Sequence, residues 1–115
     1  DFFSLLKHKH GLEEMPEKLG PAAQNNPFDI QTRYFDIDLN KHVTATRYID
    51  WMMDTFPVAF HQMNYPQRLT INYMKETKPD EKLTIFREQK ENNQFLFQGN
   101  QTSGNKIAFR GQIHF

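Results

Sequence analysis

The chain has 115 residues, with 14 basic and 14 acidic side chains and no cysteine. That length suits one compact domain, and the even charge balance argues against a general nucleic-acid binder, which needs a basic excess to meet phosphates. Without cysteine there is no disulfide frame, no thiolate metal site and no cysteine nucleophile, and no window approaches the ~18 uninterrupted apolar residues of a membrane span. The sequence opens at Asp1 and reaches its first methionine at Met15. It reads as a processed product or an excerpt of something longer, with no secretory signal, and a soluble intracellular domain is expected.

Residues 1–28 differ from the rest. Phe2, Phe3, Leu5 and Leu6 make a short apolar start, Lys7-His8-Lys9-His10-Gly11 is polar, and Pro16, Gly20 and Pro21 keep any helical turns short. This segment is expected to be a linker or lead-in that packs on something, with the folded domain over 29–115. His8 and His10 lack the further ligands of a metal site and read as solvated linker residues.

From Asp29 the pattern becomes regular. Ile30, Thr32 and Tyr34 alternate with Gln31, Arg33 and Phe35, which predicts a strand. After the loop from Asp36 to His42 the period changes. Ala45, Tyr48, Ile49, Met52, Met53 and Phe56 share one face of a helix about three turns long. Thr44 is expected to cap it through its hydroxyl, and Pro57 to stop or bend it. Trp51, Met52 and Met53 read as core or interface. Four more strands are predicted over 67–76, 82–90, 94–102 and 105–115. Pro79-Asp80, Glu91-Asn92-Asn93 and Ser103-Gly104-Asn105 separate them, so consecutive antiparallel pairing is expected.

Eleven phenylalanines supply a core, while 18 Asn and Gln residues, mostly in the second half, bring the mean hydropathy to −0.79. Aromatics interleaved with amides predict a sheet with one packed and one wet face. One long apolar-faced helix and a meander of strands make an α+β domain, a curved antiparallel sheet wrapped around a central helix: the hotdog fold. A single such unit leaves a sheet edge and part of a face open, so pairing with a second unit is expected.

The densest polar cluster, Asp36, Asp38, Asn40 and His42, stands just before the helix start. Unpaired amides and a partial positive charge there suit a carbonyl or an oxyanion. Alternate residues of an extended loop point the same way, so Asp38, Asn40 and His42 can converge to orient a water or a reacting carbonyl. Acids and amides before helices also serve as caps and loop-formers, and a solvated glutamate such as Glu76 near a strand end is commonplace. Spacing alone leaves both readings open.

The run Arg33-Tyr34-Phe35-Asp36-Ile37-Asp38-Leu39-Asn40-Lys41-His42-Val43, followed by Tyr48-Ile49-Asp50-Trp51, resembles the signature of acyl-ACP thioesterases. That family has plant-plastid and bacterial members, built as two hotdog domains in one chain. Its second domain carries an Asp-x-Asn-x-His element leading into the central helix and a Tyr-x-x-Glu segment on the following strand. Tyr73-Met74-Lys75-Glu76 matches the latter, with Glu76 34 positions after His42. Met15-Pro16-Glu17 resembles the family's interdomain linker. The match is strong over about 33–57, fair over 69–85, and little more than strand pattern from 86 onward. Two departures stand out: Thr44-Ala45 replaces a frequent Asn-Asn, and Thr77 stands where plant members often have cysteine, which excludes a cysteine mechanism for this chain.

The resemblance implies catalytic roles for Asp38, Asn40, His42 and Glu76. Glu76 would activate water as general base, or attack as nucleophile. His42 and Asn40 would position the water or the thioester carbonyl, Asp38 would fix the loop, and amides near Val43 to Ala45 would share the oxyanion charge. The implied reaction is hydrolysis of acyl-acyl carrier protein to free fatty acid, ending chain elongation, with no metal or organic cofactor. The implied partners are an acylated carrier protein and a second hotdog domain, with no nucleic acid and no membrane span. The implied location is the cytoplasm of a bacterium or the plastid of a plant. Lys7, Lys9, Lys41, Arg47, Lys75 and Lys78 are candidate docking cations for an acidic carrier. Two alternatives remain: a single-hotdog acyl-CoA thioesterase working as a homodimer, and a non-catalytic acyl-binding domain.

Overall fold

The computed structural model describes residues 18–24, 26–37, 43–78 and 80–115. In chain order come β1 (Phe28–Gln31), a 3-10 turn (Tyr34–Asp36), α1 (Ala45–Asp54), α2 (Val58–Met63), β2 (Arg68–Tyr73), β3 (Lys82–Glu91), β4 (Gln94–Gln101) and β5 (Ile107–His114). The strands form one antiparallel sheet in the order β1-β3-β4-β5-β2, and α1 packs along one face of it. This is the α+β hotdog architecture.

Three local expectations change. The first strand ends at Gln31 rather than running to Phe35. Thr32 turns its amide and hydroxyl to the carbonyls of Glu81 and Lys78, and Asp36 folds back to accept the Arg33 amide at 2.7 Å. The helix ends at Asp54, with Thr55 as its C-cap, and Pro57 starts the short α2 instead of merely ending α1. α2 has only six residues, too few to display a helical period. The pairing is also not consecutive throughout. β3, β4 and β5 form the expected meander, but β2 joins β5 at one edge and β1 joins β3 at the other.

The period-2 pattern of the strands and the helical face of α1 meet in one core. Leu83, Ile85, Phe97, Phe109 and Ile113 line the inner face of the sheet, and Tyr48, Ile49, Met52 and Phe56 of α1 close on them. Burying each large apolar side chain contributes about 1.5–3 kcal/mol. Gly111 of β5 faces α1, and a Cβ added there would run into the sulfur of Met52. The glycine is what lets the helix lie so close.

The outer face is not the wet surface expected. Residues 18–24 cross it as a strap. Leu19 donates its amide to Asn72 of β2 and accepts from Arg110 of β5, Ala22 donates to Gln98 of β4, and Ala23 donates to Glu88 of β3 at 2.7 Å. Gln98 also accepts from Arg110 and donates to Asn100, so the buried amides are mutually satisfied. The Glu88 carboxyl is held below its ordinary range, first by the Ala23 amide and then by Lys90.

At its C-terminal end α1 runs into an aromatic cluster. Phe56 stacks on Phe60 at 4.4 Å and meets Phe95 and Phe115 edge-on at 4.9 and 5.3 Å. Arg87 of β3 lies over the Phe56 ring at 4.4 Å and donates to the Thr55 carbonyl at 2.7 Å, a cation where the helix dipole is negative. His61 donates Nε2–H to the Met53 carbonyl at 2.7 Å, and its Nδ1 is buried with no partner among the described residues. Among the described residues no helix is long and apolar enough to cross a membrane.

Candidate active site

The other end of α1 opens on a cleft of about 420 Å³. Val43, Ala45 and Tyr48 form its helix side, and Tyr73, Met74, Lys75, Glu76 and Thr77 form the opposite wall. Glu76 is therefore at the start of the helix, although it lies 31 residues beyond Ala45 in the chain.

The sheet order explains how it gets there. Because β2 and β3 are not neighbours, the chain that leaves β2 must cross the end of the sheet to reach β3. The amides of Met74 and Lys75 both donate to the Ala108 carbonyl on β5, at 2.8 and 3.1 Å. The Glu76 carbonyl then accepts Nε2 of Gln101 from the end of β4 at 3.0 Å. The Thr77 carbonyl accepts the Val43 amide at 3.2 Å, and the carbonyls of Lys78 and Glu81 accept from Thr32 beyond β1. A β2–β3 hairpin, as expected from the sequence, would leave Glu76 at the end of a strand, just before the turn at Pro79-Asp80. In the structure it lies past the strand end, in a segment pinned across the sheet, and is one of the residues that line the cleft.

The loop that carries the Asp-x-Asn-x-His element has both feet in view. Ile37 and Val43 form an antiparallel bridge, and the Thr44 amide donates to the Asp36 carbonyl at 3.0 Å. Asp38, Asn40 and His42 themselves lie outside the described residues. Asp36 is structural: besides accepting the Arg33 amide, its carboxylate pairs with Arg47 at 3.2 Å. Arg47 also reaches Asp50 at 3.4 Å, so it pairs with two carboxylates of the domain. Burial raises the Asp50 carboxyl, and Arg47 opposes that shift.

The helix start differs from expectation in two ways. Thr44 does occupy the N-cap position, but its hydroxyl makes no capping bond and instead lies 3.4 Å from that of Thr46. Of the three amides expected to face an oxyanion, those of Val43 and Thr44 are bonded to the carbonyls of Thr77 and Asp36. Ala45, at the cleft wall, is the one whose amide has no such partner among the described residues.

Two hydroxyls in the cleft were not singled out by sequence reasoning as site residues. Tyr48 donates to Thr77 Oγ1 at 2.8 Å, and both side chains are buried. Burial raises the Tyr48 phenol above its ordinary range, and hydrogen bonding with Thr77 opposes this. A tyrosine on an otherwise apolar helix face was the available signal, since a buried phenol needs a partner. At the cleft mouth Lys75 lies against Lys106, brought over from the β4–β5 turn. Hydrogen bonding with Lys106 and the repulsion of its charge hold the Lys75 amine below its ordinary range. Among the described residues no three His, Cys, Asp or Glu side chains are grouped as a metal site requires.

A hotdog domain with an acid among the residues lining a cleft at the start of its central helix is the class that fold and cleft define. The profile of the acyl-ACP thioesterase C-terminal domain matches residues 20–115, and the chain belongs to that family. It is 28% identical over 75 residues to the chloroplastic oleoyl-acyl carrier protein thioesterase 1 of Arabidopsis thaliana, covering 65% of this chain and 20% of that protein. It is 33% identical over 66 residues to the chloroplastic dodecanoyl-[acyl-carrier-protein] hydrolase of Cinnamomum camphora, covering 56% of this chain and 17% of that one. The acyl-ACP thioesterase structure from Bacteroides thetaiotaomicron superposes with a TM-score of 0.81 at 25% identity, over 90% of this chain and 42% of that one. The 12:0-ACP thioesterase from Umbellularia californica superposes with a TM-score of 0.72 at 18% identity, over 90% of this chain and 39% of that one. The chain thus spans about a fifth of the curated relatives and two-fifths of the solved ones.

Proposed function

We propose that this chain is the catalytic hotdog of an enzyme that hydrolyses the thioester of acyl-acyl carrier protein and releases free fatty acid. The observation that carries the reading is the placement of Glu76 on a cleft shared with Val43, which follows His42 directly in the chain. Membership of the acyl-ACP thioesterase family supports the substrate class.

Asp38, Asn40, His42 and Glu76 are the proposed catalytic residues. With Glu76 as base, a water proton passes to its carboxylate while the water oxygen bonds to the thioester carbonyl carbon. The carbonyl oxygen becomes an oxyanion within reach of the helix start and the Ala45 amide. Collapse breaks the carbon–sulfur bond and the proton leaves with the thiol. Glu76 as nucleophile reaches the same products through an anhydride that water opens. Asn40 and His42 orient water and carbonyl in either route, and Asp38 orients their loop.

The acidic carrier would approach over Lys75, which lines the cleft, and over Lys78 and Lys106, which act on the Lys75 amine; Lys7, Lys9 and Lys41 lie outside the described residues. A second hotdog domain would cover the edge at β2, where Tyr73 and Met74 are 55% and 41% exposed beside the cleft. Residues 1–28 would be the lead-in to the domain at 29–115, and the enzyme would work in the bacterial cytoplasm or, in a plant, the plastid.

The test is thiol release from acyl-ACP and acyl-CoA by the whole protein carrying this chain. Glu76→Gln should lower the acyl-ACP rate by at least about 100-fold while leaving the melting temperature unchanged. A preference for acyl-CoA would transfer the proposal to a single-hotdog acyl-CoA thioesterase. Carrier binding without hydrolysis would make this a binding domain.

A further inference from the structure

The Tyr48–Thr77 pair joins the two walls of the cleft. Tyr48 stands in the first turns of α1, Thr77 directly follows Glu76, and the 2.8 Å hydrogen bond between their side chains is buried, with Thr77 wholly inaccessible and Tyr48 4% exposed. A second tie runs parallel to it, from the Val43 amide to the Thr77 carbonyl. The phenol cannot swing aside, because its ring is held edge-on between Phe109 of β5 at 5.0 Å, Tyr73 of β2 at 5.6 Å and Trp51 of α1 at 5.5 Å. Elements from both sides of the cleft thus aim one hydroxyl at the residue next to the acid. Met74 and Lys75 are tied to β5 and the Glu76 carbonyl to β4, which leaves Thr77 as the point where the acid-bearing segment is fastened to the helix.

We propose that Tyr48 and Thr77 are a positioning pair for the hydrolysis, setting the distance between the Glu76 carboxylate and the helix start through their buried hydrogen bond. The inference rests on Glu76 being the reacting acid. Neither hydroxyl exchanges a proton with substrate. Their effect is geometric, and misplacement of a reacting group by about 1 Å can cost about 100-fold in rate.

Single and double variants of the whole protein test it, with thiol release from acyl-ACP resolved into kcat and KM. Tyr48→Phe and Thr77→Val each remove one hydroxyl with little change of shape, whereas Thr77→Ser keeps it. The expected result is a kcat lower by about 10-fold or more in Tyr48→Phe and Thr77→Val, with KM within about threefold. Thr77→Ser should retain kcat within about threefold, and the double variant should be no slower than the slower single one, since both remove the same bond. A purely structural bond would lower the melting temperature and leave kcat per folded molecule unchanged, which would overturn the proposal. So would a Thr77→Ser variant as slow as Thr77→Val, or a loss carried by KM alone. Where Tyr48→Phe does not fold, the contrast between the two Thr77 variants decides. Glu76→Gln runs alongside as the separating control. If it turns over normally, the acid itself is misassigned and the pair falls with it; if it is inactive while Tyr48→Phe and Thr77→Val run normally, the positioning role alone is refuted.

Discussion

The two ends of α1 are built on opposite plans. At the C-terminal end every feature closes the structure: Phe56 is packed among Phe60, Phe95 and Phe115, and Arg87 covers both the Phe56 ring and the Thr55 carbonyl. At the N-terminal end the cap hydroxyl bonds no helix amide, and a cleft of about 420 Å³ stands open against Glu76. A helix finished at both ends would be more stable and would have no donor left for a ligand. Stability is concentrated at one end of the helix and the candidate chemistry at the other, with Tyr48 the side chain that ties the open end down.

That contrast can be broken at the closed end. Phe56→Ala should cost about 3–5 kcal/mol, because it empties the centre of the aromatic cluster and removes the surface on which Arg87 lies. Chemical denaturation should report the loss, while thiol release per folded molecule stays within twofold. A fall in activity with unchanged stability would show that the two ends are coupled. A smaller change at the same end sharpens the comparison. Arg87→Met keeps most of the packing but removes the charge from the Thr55 carbonyl and the Phe56 face, and should cost about 2 kcal/mol on the same measurement. The smallest effect is expected at the open end. An N-cap Thr→Ala exchange ordinarily costs about 1 kcal/mol. Since the Thr44 hydroxyl bonds no helix amide, Thr44→Ala should cost less than about 0.5 kcal/mol by the same extrapolation. A full-sized loss would mean that the hydroxyl caps the helix in solution.

Much of this was legible before the structure. The 3.6-residue period of Tyr48, Ile49 and Met52 placed α1 on its buried face, and the alternation of Leu69, Ile71 and Tyr73 with Thr70 and Asn72, and of Ile107 and Phe109 with Ala108 and Arg110, placed β2 and β5. Both signals are local, set by side chains a few positions apart on a regular backbone. The turn residues at 91–93 and 103–105 likewise marked the β3–β4–β5 meander. The site was legible in part. The family resemblance carried by Tyr73-x-x-Glu76 singled out an acid that the fold does bring to the helix start, whereas Asp38, Asn40 and His42, outside the described residues, stand on the sequence alone.

What the sequence by itself determined, then, is the nature of the elements and which of their faces are apolar. Only the tertiary structure decided which strands join the β3–β4–β5 meander at its two edges. The β2–β5 and β1–β3 pairings join segments far apart in the chain, and no local pattern encodes them. They follow from wrapping one sheet around α1, so that the strands flanking the helices in sequence become its two edges. From that single arrangement come the crossing of the chain from β2 to β3, the arrival of Glu76 at the cleft and the meeting of Tyr48 with Thr77. The burial of Gln98 and Asn100 in place of a wet face was equally beyond the sequence. An amide reads as exposed until a strap from elsewhere in the chain, here through the Ala22 amide, brings it a partner.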